Sequence, residues 1–375
     1  MKLLINASTL SATGVVQVAV SFINECKKIE GNTYYVVLSQ QVSSELDISS
    51  FGKNFTFYLI KNHPKNLLSG LSSRIKLKSI ERTIKPDSIF SVFGPSWFTP
   101  KAPHLMGYAY PHYVYPDSPF FARISLWSRV LILFKRWIHT YFLRKNGSYF
   151  VCETDDVSER LHSILNFPKE NIFTVSNTYG EHFNNVIKFN KTLLPKKKSN
   201  EFRFLSLCSL NEHKNLKILN QVIPLLDKKL NFKFILTVDS ELFEESFSEE
   251  SKSFIYNIGR INIADCPQIY SECDALFLPT LLECFSANYP EAMKMGKPIL
   301  TSDLNFAKKV CQDAAFYFDP LDTSDIAQKI IRLMKDELLY KELVLKGKNR
   351  VELFPDASQR ARKYIEICKK ISKIC

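Results

Sequence analysis

The stretch that decides the fold runs from Ala275 to Asp303 and reads ALFLPTLLECFSANYPEAMKMGKPILTSD. Its apolar beginning, Ala275–Pro279, reads as a buried strand, and a polar loop follows. Pro290 then stands at the favoured first position of a short helix. Gly296 ends that helix in the left-handed conformation, and Pro298 opens the next strand. This order of strand, helix and strand predicts a βαβ unit in a parallel sheet.

The same alternation extends outward over the whole chain. Apolar runs in the first half predict strands at Lys2–Ala7, Thr33–Leu38, Phe55–Ile60, Ser88–Val92, Pro103–Ala109, Tyr149–Glu153 and Asn171–Val175. Those in the second half predict strands at Phe202–Leu207, Lys233–Val238, Ile255–Gly259, Ala275–Pro279, Pro298–Ser302 and Ala315–Phe318. Apolar residues at helical spacing predict helices between them, such as Val15–Lys27.

A change of composition divides the chain. The polar, lysine-rich stretch at residues 190–201 reads as a solvated linker, and 375 residues suit two α/β domains. We predict a Rossmann-like domain over residues 1–190 and another over 201–357, facing a cleft in which ligands bind off the carboxyl ends of the strands. The last helix, residues 358–375, is expected to pack back on the first domain.

Composition restricts the class of protein. The net charge is +12, and a basic surface suits nucleic acid, anionic membranes or phosphorylated substrates. The lysines and arginines are dispersed, and no motif for stacking on nucleobases is visible, which argues against nucleic acid as the partner. Nine cysteines without a CxxC pair favour reduced thiols in the cytoplasm over a zinc site or disulfide framework, since we read no export signal. No apolar run approaches the roughly 18 residues of a membrane span.

Two glutamates in the deciding stretch are candidate binding residues. Glu283 lies in the polar loop, and Glu291 lies in the first turn of the short helix. Free N–H groups at a helix N-terminus favour a phosphate, and a carboxylate there accepts hydrogen bonds from ribose hydroxyls. The spacing of the two glutamates does not by itself indicate a binding site. Glu291 could equally be a first-turn acid that stabilises the helix dipole, and Glu283 a solvated charge in a loop.

Together with its surroundings, this stretch resembles the retaining family-4 (group 1) glycosyltransferases of GT-B fold, such as those of bacterial polysaccharide and O-antigen synthesis. The matching positions are Pro279-Thr280, Glu283, Glu291-Ala292-Met293, Gly296-Lys297-Pro298, Thr301-Ser302-Asp303 and the continuation Asp313–Pro320. The resemblance covers about Tyr149 to Tyr364, whereas the first hundred residues match only in pattern.

The resemblance implies transfer of a sugar from a UDP- or GDP-linked donor to a hydroxyl of a glycan or polyprenyl-linked glycan. It implies retention of the anomeric configuration and no metal ion. It assigns Glu291 to the ribose hydroxyls and Glu283 to the transferred sugar. The backbone N–H groups of Phe285–Asn288, which include Ser286, Ala287 and Asn288, would face the sugar and diphosphate. A GT-B sugar-nucleotide epimerase and an inactive sugar-nucleotide-binding protein remain alternatives.

Three positions outside that stretch are further candidates. Lys214 follows the strand Phe202–Leu207 and resembles the family lysine that neutralises the leaving diphosphate, although Ser209 stands where relatives often carry arginine. Gly14, expected in the loop after the first strand, either lets backbone approach the diphosphate or acceptor or only shapes a turn. His112, past a predicted strand end, is either a histidine near the reacting sugar or a structural one.

The segment Phe120–Lys145 mixes aromatic and branched residues with arginine and lysine. A basic amphipathic helix of this kind can lie in a membrane interface and attract anionic headgroups, while an apolar stripe on a helix can equally belong to the core. A lipid-linked acceptor would require membrane docking. We therefore expect a cytoplasmic protein, at the inner face of the cytoplasmic membrane if this helix binds lipid.

Overall fold

A computed structural model describes residues 1–66, 68–184, 192–227 and 229–374. The chain divides into two units. The first comprises Met1–Val114, Ser125–Asn177 and Pro355–Cys375, and the second comprises Tyr115–Ile124 and Thr178–Phe354. The sequence did not predict that Tyr115–Ile124 would belong to the second unit. The domain end predicted at residue 190 lies outside the described residues.

The strands and helices have the following bounds in the described chain. The strands are β1 (Lys2–Ala7), β2 (Thr33–Leu38), β3 (Phe55–Leu59), β4 (Ser88–Ser91), β5 (His104–Gly107), β6 (Tyr149–Cys152), β7 (Ile172–Thr174), β8 (Phe202–Ser206), β9 (Phe232–Leu236), β10 (Ile255–Asn257), β11 (Ala275–Leu278), β12 (Ile299–Ser302) and β13 (Ala315–Phe318). The helices are α1 (Thr13–Cys26), α2 (Gln40–Ser44), α3 (Ser69–Ile84), α4 (Pro111–Val114), α5 (Phe120–Arg123), α6 (Leu126–Asn146), α7 (Asp155–Leu165), α8 (Leu219–Val222), α9 (Ser240–Ser246), α10 (Glu249–Lys252), α11 (Cys266–Ser271), α12 (Asn288–Lys294), α13 (Asn305–Cys311), α14 (Thr323–Lys335), α15 (Glu337–Val351) and α16 (Ala357–Ile371).

Each unit contains one parallel sheet with its strands in doubly wound order. The first has the order β3-β2-β1-β4-β5-β6-β7, and the second has β10-β9-β8-β11-β12-β13. In both, the chain works outward in one direction from the first strand and then returns to build the other side, which is the arrangement that opens a ligand-binding crevice at the carboxyl ends of the central strands. The predicted α/β class with two Rossmann-like domains is confirmed.

Aromatic packing between a sheet and the last helix holds the first unit together. Phe22 of α1, Phe90 of β4 and Tyr364 of α16 form a cluster with ring centroids 5.0–5.6 Å apart. The guanidinium of Arg360, also on α16, donates to the side chain of Asn177 and, at 2.9 Å, to Ser21 Oγ. The C-terminal helix is therefore an integral part of the first unit.

Phenylalanines stacked across the strands form the core of the second unit. Phe204 of β8 lies 5.2 Å from Phe234 of β9, and Phe277 of β11 lies 5.6 Å from Phe318 of β13, measured between ring centroids. All four residues of β11 and of β12 are buried. Burial on both faces is what a parallel sheet covered by helices requires, and it explains why these strands read as continuous apolar runs.

The segment Phe120–Lys145 is not one helix. Helix α5 ends at Arg123, and α6 begins at Leu126 after Ser125, whose hydroxyl accepts a hydrogen bond from Ser128 N at 3.1 Å as an N-cap. Eight large apolar side chains on α6 are 53–79% exposed, so the interpretation of this stripe as core is wrong for them. Among the described helices, none is long and apolar enough to cross a membrane.

Candidate functional site

Strand order places two loops of the second unit side by side. Strands β8 and β11 are parallel neighbours, with Phe204 opposite Ala275, so the loops that leave their carboxyl ends start at the same edge of the sheet. Leu281 N and Thr280 Oγ1 both donate to His213 O, at 2.7 and 3.0 Å. These bonds fix the loop after β11 against the loop after β8.

The loops after β8 and β11 bring Lys214 and Glu283 into contact. The Lys214 ammonium forms an ion pair with the Glu283 carboxylate, and the two side chains are only 16% and 14% exposed. Burial opposes the charge on the lysine, but the attraction of Glu283, with a smaller effect of Cys208, outweighs it and raises the pKa of Lys214. Two predicted candidates, 69 positions apart, therefore form one partly buried, charged pair.

Glu291 lies in the first turn of α12, as predicted, although the helix begins at Asn288 rather than at Pro290. Proline is tolerated there because the first four N–H groups of a helix have no intrahelical acceptor. The Tyr270 hydroxyl donates to Glu291 Oε2 at 3.2 Å. Burial raises the pKa of Glu291 to about 7, against the lowering effect of this hydrogen bond. At neutral pH the carboxyl group is thus poised between its neutral and charged forms.

Backbone N–H groups accumulate where the chain enters α12. In the described part of the chain, the N–H groups of Phe285, Ser286, Ala287 and Asn288 have no backbone hydrogen-bond acceptor. The Asn288 side chain has a different task, because its Nδ2 donates to Leu207 O at 2.7 Å and ties the helix start to the end of β8. Successive free N–H groups at a helix start favour an anion.

Sequence reasoning missed the short segment Tyr115–Ile124, which lies on these loops in the second unit. Ser118 Oγ donates to Leu281 O at 2.7 Å, and the Phe120 ring packs edge-on at 6.4 Å against His213. Arg123 Nη1 donates to Asn215 Oδ1 at 2.9 Å, beside Lys214 in the chain. Asn215 is buried, and its Nδ2 donates to Pro320 O at 3.1 Å, so its side chain is held where the arginine meets it.

Two predicted candidates belong to the first unit. Gly14 does not lie in the loop after β1, because α1 begins at Thr13 and includes it. A Cβ at this position would meet nothing within 4 Å, so packing in the described chain does not require glycine. His112 lies in α4, past the end of β5. Burial, with the charge of Lys135, lowers the pKa of His112 and favours its neutral form.

Comparison with known proteins finds a family model that matches the stretch containing Lys214, Glu283 and Glu291. Residues 190–350 match the family model of "Glycosyl transferases group 1". A stretch of 189 residues is 26% identical to the serotype-specific mannosyltransferase WbdA of Escherichia coli. That match covers 46% of this chain but 23% of WbdA, so the chain spans about a quarter of the length of this relative.

Solved structures resemble the chain over nearly its whole length. Anabaena Alr3699/HepE in complex with UDP and glucose superposes with a TM-score of 0.71 and 12% identity, covering 99% of this chain and 100% of the other. WaaG, a glycosyltransferase involved in lipopolysaccharide biosynthesis, gives a TM-score of 0.72 and 14% identity, covering 98% and 99%. The likeness confirms the predicted GT-B fold.

Proposed function

We propose that the chain transfers a sugar from a nucleoside diphosphate sugar to a hydroxyl of a glycan or polyprenyl-linked glycan, because residues 190–350 match the family model of "Glycosyl transferases group 1". The donor is a UDP- or GDP-linked hexose, and the anomeric configuration is retained. Mannose is the first sugar to test, because WbdA is named a mannosyltransferase. The synthesis of a surface polysaccharide such as O-antigen is the proposed setting.

The observation that carries this proposal is the partly buried ion pair of Lys214 and Glu283 inside the matched stretch. A lysine held this way can turn its charge to the departing diphosphate, where negative charge develops in the transition state. Glu283 is then released toward the transferred sugar and the positive charge at its anomeric carbon. The ion pair between them holds both groups at the ends of their loops, where the donor would meet them.

The remaining contacts of the donor follow from the start of α12. The four free N–H groups of Phe285–Asn288 donate to the diphosphate and sugar. The Glu291 carboxyl accepts hydrogen bonds from the ribose hydroxyls, with Tyr270 orienting it from behind. No metal ion is needed in this proposal, because Lys214 and the N–H groups supply the positive charge. Gly14 and His112 serve the acceptor side, His112 as a neutral imidazole beside the reacting sugar.

Arg123 is the proposed replacement for the arginine that relatives often carry where Ser209 stands. Its guanidinium reaches Asn215, the neighbour of Lys214, from the segment Tyr115–Ile124. Arginine remains charged at any working pH and can donate several hydrogen bonds in one plane, which suits a diphosphate. The second cation would therefore come from a different part of the chain.

We place the enzyme in the cytoplasm, at the inner face of the cytoplasmic membrane, where a polyprenyl-linked acceptor is presented. Nucleic acid is not a proposed partner. The exposed face of α6 supports the membrane position through its own chemistry, independently of the donor site.

The test measures donor binding and donor consumption separately. Thermal unfolding against a panel of UDP- and GDP-sugars should identify a stabilising donor, since specific binding stabilises the folded state. That donor should then be consumed in the presence of a glycan or lipid-linked acceptor. Lys214→Met should lower turnover by about a hundredfold or more, in line with the loss of transition-state charge stabilisation. The matched control is Lys217→Met, an exposed lysine three residues along.

Three results would contradict the proposal. Consumption or isomerisation of the donor without any acceptor would assign the site to an epimerase or hydrolase. Tight binding of the donor without turnover across an acceptor library would identify a binding protein. Equal turnover of the Lys214→Met and Lys217→Met variants would remove the lysine from the mechanism.

A further inference from the structure

Helix α6 carries the largest group of exposed apolar side chains in the described chain. Of the twenty large apolar residues described as exposed, eight lie on this helix: Leu126, Trp127, Val130, Leu131, Leu133, Phe134, Trp137 and Tyr141. We call these eight residues the α6 face. At 3.6 residues per turn they fall on one side of the helix, since positions 127, 130, 134, 137 and 141 recur at intervals of three and four. Contiguous exposed apolar patches mark sites of interaction with a protein or a membrane.

The opposite side of α6 is firmly attached to the first unit. Leu143 is 1% exposed, and the His139 ring packs at 5.4 Å from Trp97. The Tyr113 hydroxyl lies 3.1 Å from His139 Nδ1, and the Phe142 ring lies 4.7 Å from Trp97. The helix is therefore held on the body by its inner side, and the α6 face presents a fixed surface rather than a loosely docked segment.

The charges of the helix identify the partner. Leu126–Asn146 contains five basic residues, Arg129, Lys135, Arg136, Arg144 and Lys145, and no acidic one. Two of the chain's three tryptophans and a tyrosine stand on the exposed side, and these side chains favour the boundary between headgroups and acyl chains. Apolar contact flanked by positive charge is complementary to an anionic bilayer surface.

We propose that the α6 face is a docking surface that lies flat on a membrane containing anionic lipids. A helix of 21 residues is roughly 31 Å long, at about 1.5 Å per residue, so its aromatic side chains enter the interface along its full length. It lies on the membrane rather than across it, because its inner side stays packed against the protein. The inference deepens the proposed position at the membrane, and it is independent of the chemistry of the donor site.

A second copy of the chain is a poorer occupant of the same surface. Pairing two α6 faces would bring two helices of five positive charges each together, with no acidic side chain on either helix to compensate. Anionic headgroups provide the missing negative charge. The two occupants make different predictions, because lipid binding does not depend on self-association.

The test is co-sedimentation with vesicles of phosphatidylcholine alone or mixed with phosphatidylglycerol, without donor or acceptor. Wild-type protein should sediment with the mixed vesicles, and the triple variant W127E/F134E/W137E should bind at least about tenfold more weakly. The matched control is L338E/L345E/L353E, which changes three similarly exposed residues of the second unit and the same net charge. The control should bind like wild type.

Two further measurements make the test independent of how well the triple variant folds. Brominated phosphatidylcholine in the mixed vesicles should quench the tryptophan emission of the wild-type protein, since Trp127 and Trp137 would reach the acyl chains. The variant K135E/R136E, which keeps every apolar side chain of the α6 face, should bind the mixed vesicles about tenfold more weakly than wild type.

The outcomes separate the alternatives. No sedimentation of the wild type, or binding that survives W127E/F134E/W137E, overturns the docking surface. Equal binding to neutral and mixed vesicles overturns the role of anionic lipid. Self-association that the triple variant abolishes, without vesicle binding, assigns the face to a second copy and also overturns the proposal. Vesicle binding without sugar transfer would leave this inference intact and remove only the proposed function.

Discussion

Replacing Glu291 by glutamine should make the folded protein more stable at neutral pH. Burial beside the Tyr270 hydroxyl raises the pKa of this carboxyl from 4.5 to about 7. In the unfolded chain the carboxyl is hydrated and titrates near its ordinary pKa. Ionisation of Glu291 above its ordinary pKa is therefore less favourable in the folded protein than in the unfolded chain. Glutamine does not ionise, so it removes this cost, and its amide oxygen can still accept the Tyr270 hydrogen bond.

The size and direction of the effect follow from the two pKa values. Between pH 4.5 and about 7 the folded protein retains a proton that the unfolded chain has lost, so the free energy of unfolding falls as the pH rises. The fall is complete above about pH 7. Its upper limit is roughly 3 kcal/mol, at about 1.4 kcal/mol for each pH unit between the two values. Glu291→Gln should match wild type near pH 4 and exceed its stability by up to this amount at pH 8.

The assay is urea unfolding of wild type and Glu291→Gln at half-unit steps from pH 4 to 8. The difference between the two curves isolates this carboxyl, because all other titrating groups are common to both proteins. Glu241→Gln is the control, since Glu241 also lies in the first turn of a helix, α9, but is exposed. Its effect on the free energy of unfolding should be small across the range.

Two results would refute the reasoning about Glu291. One is a glutamine variant that is no more stable than wild type at pH 8. The other is a stability gain that does not shrink toward pH 4, because such a gain would come from packing rather than from the charge. If the gain is found together with weaker donor binding, the carboxyl is a group that serves the ligand at the expense of the fold.

Three further predictions concern the other candidates. Arg123→Gln should raise the KM for the donor severalfold and leave the temperature of thermal unfolding unchanged. The control is Arg332→Gln, which changes an exposed arginine of the same unit and should alter neither quantity. Equal KM values for the two variants would contradict the role of Arg123. Gly14→Ala should fold normally and stabilise α1 by up to about 1 kcal/mol. It should nevertheless raise the KM for donor or acceptor. An unchanged KM would mean that the glycine has no role in ligand binding. Turnover should survive EDTA, and a loss that Mg²⁺ or Mn²⁺ restores would contradict a metal-free transfer.

The strands could be predicted from sequence because their environment is simple. In β11, all four residues of Ala275–Leu278 are buried, so the apolar run shows the strand directly. The break before α6 was not predicted, although Ser125 stands at an N-cap position before an apolar run. The start of α12 was misplaced by two residues, because Pro290 is tolerated anywhere in the first turn and not only at its first position.

The site could be predicted only where its residues follow strand ends in the chain. Lys214 and Glu283 each do so, and adjacent parallel strands bring them together. Tyr270 and Arg123 reach the same region through packing, one from α11 and one from Tyr115–Ile124. No local pattern marks such residues, because their contacts depend on which distant segments the fold places beside them.

For helix α6, too, the sequence alone could not predict what the apolar residues contact. Its sequence reveals an apolar stripe, but a stripe specifies only that one side of the helix avoids water, not what covers it. The structure resolves this because the inner contacts, Leu143 and His139 among them, are confined to a narrow side. The contacts on its inner side attach α6 to the first unit, so the eight large apolar side chains on the other side are not needed to hold the helix. Their presence, flanked by positive charge and without an acid, is therefore best explained by a partner that is both apolar and anionic, which a lipid surface is.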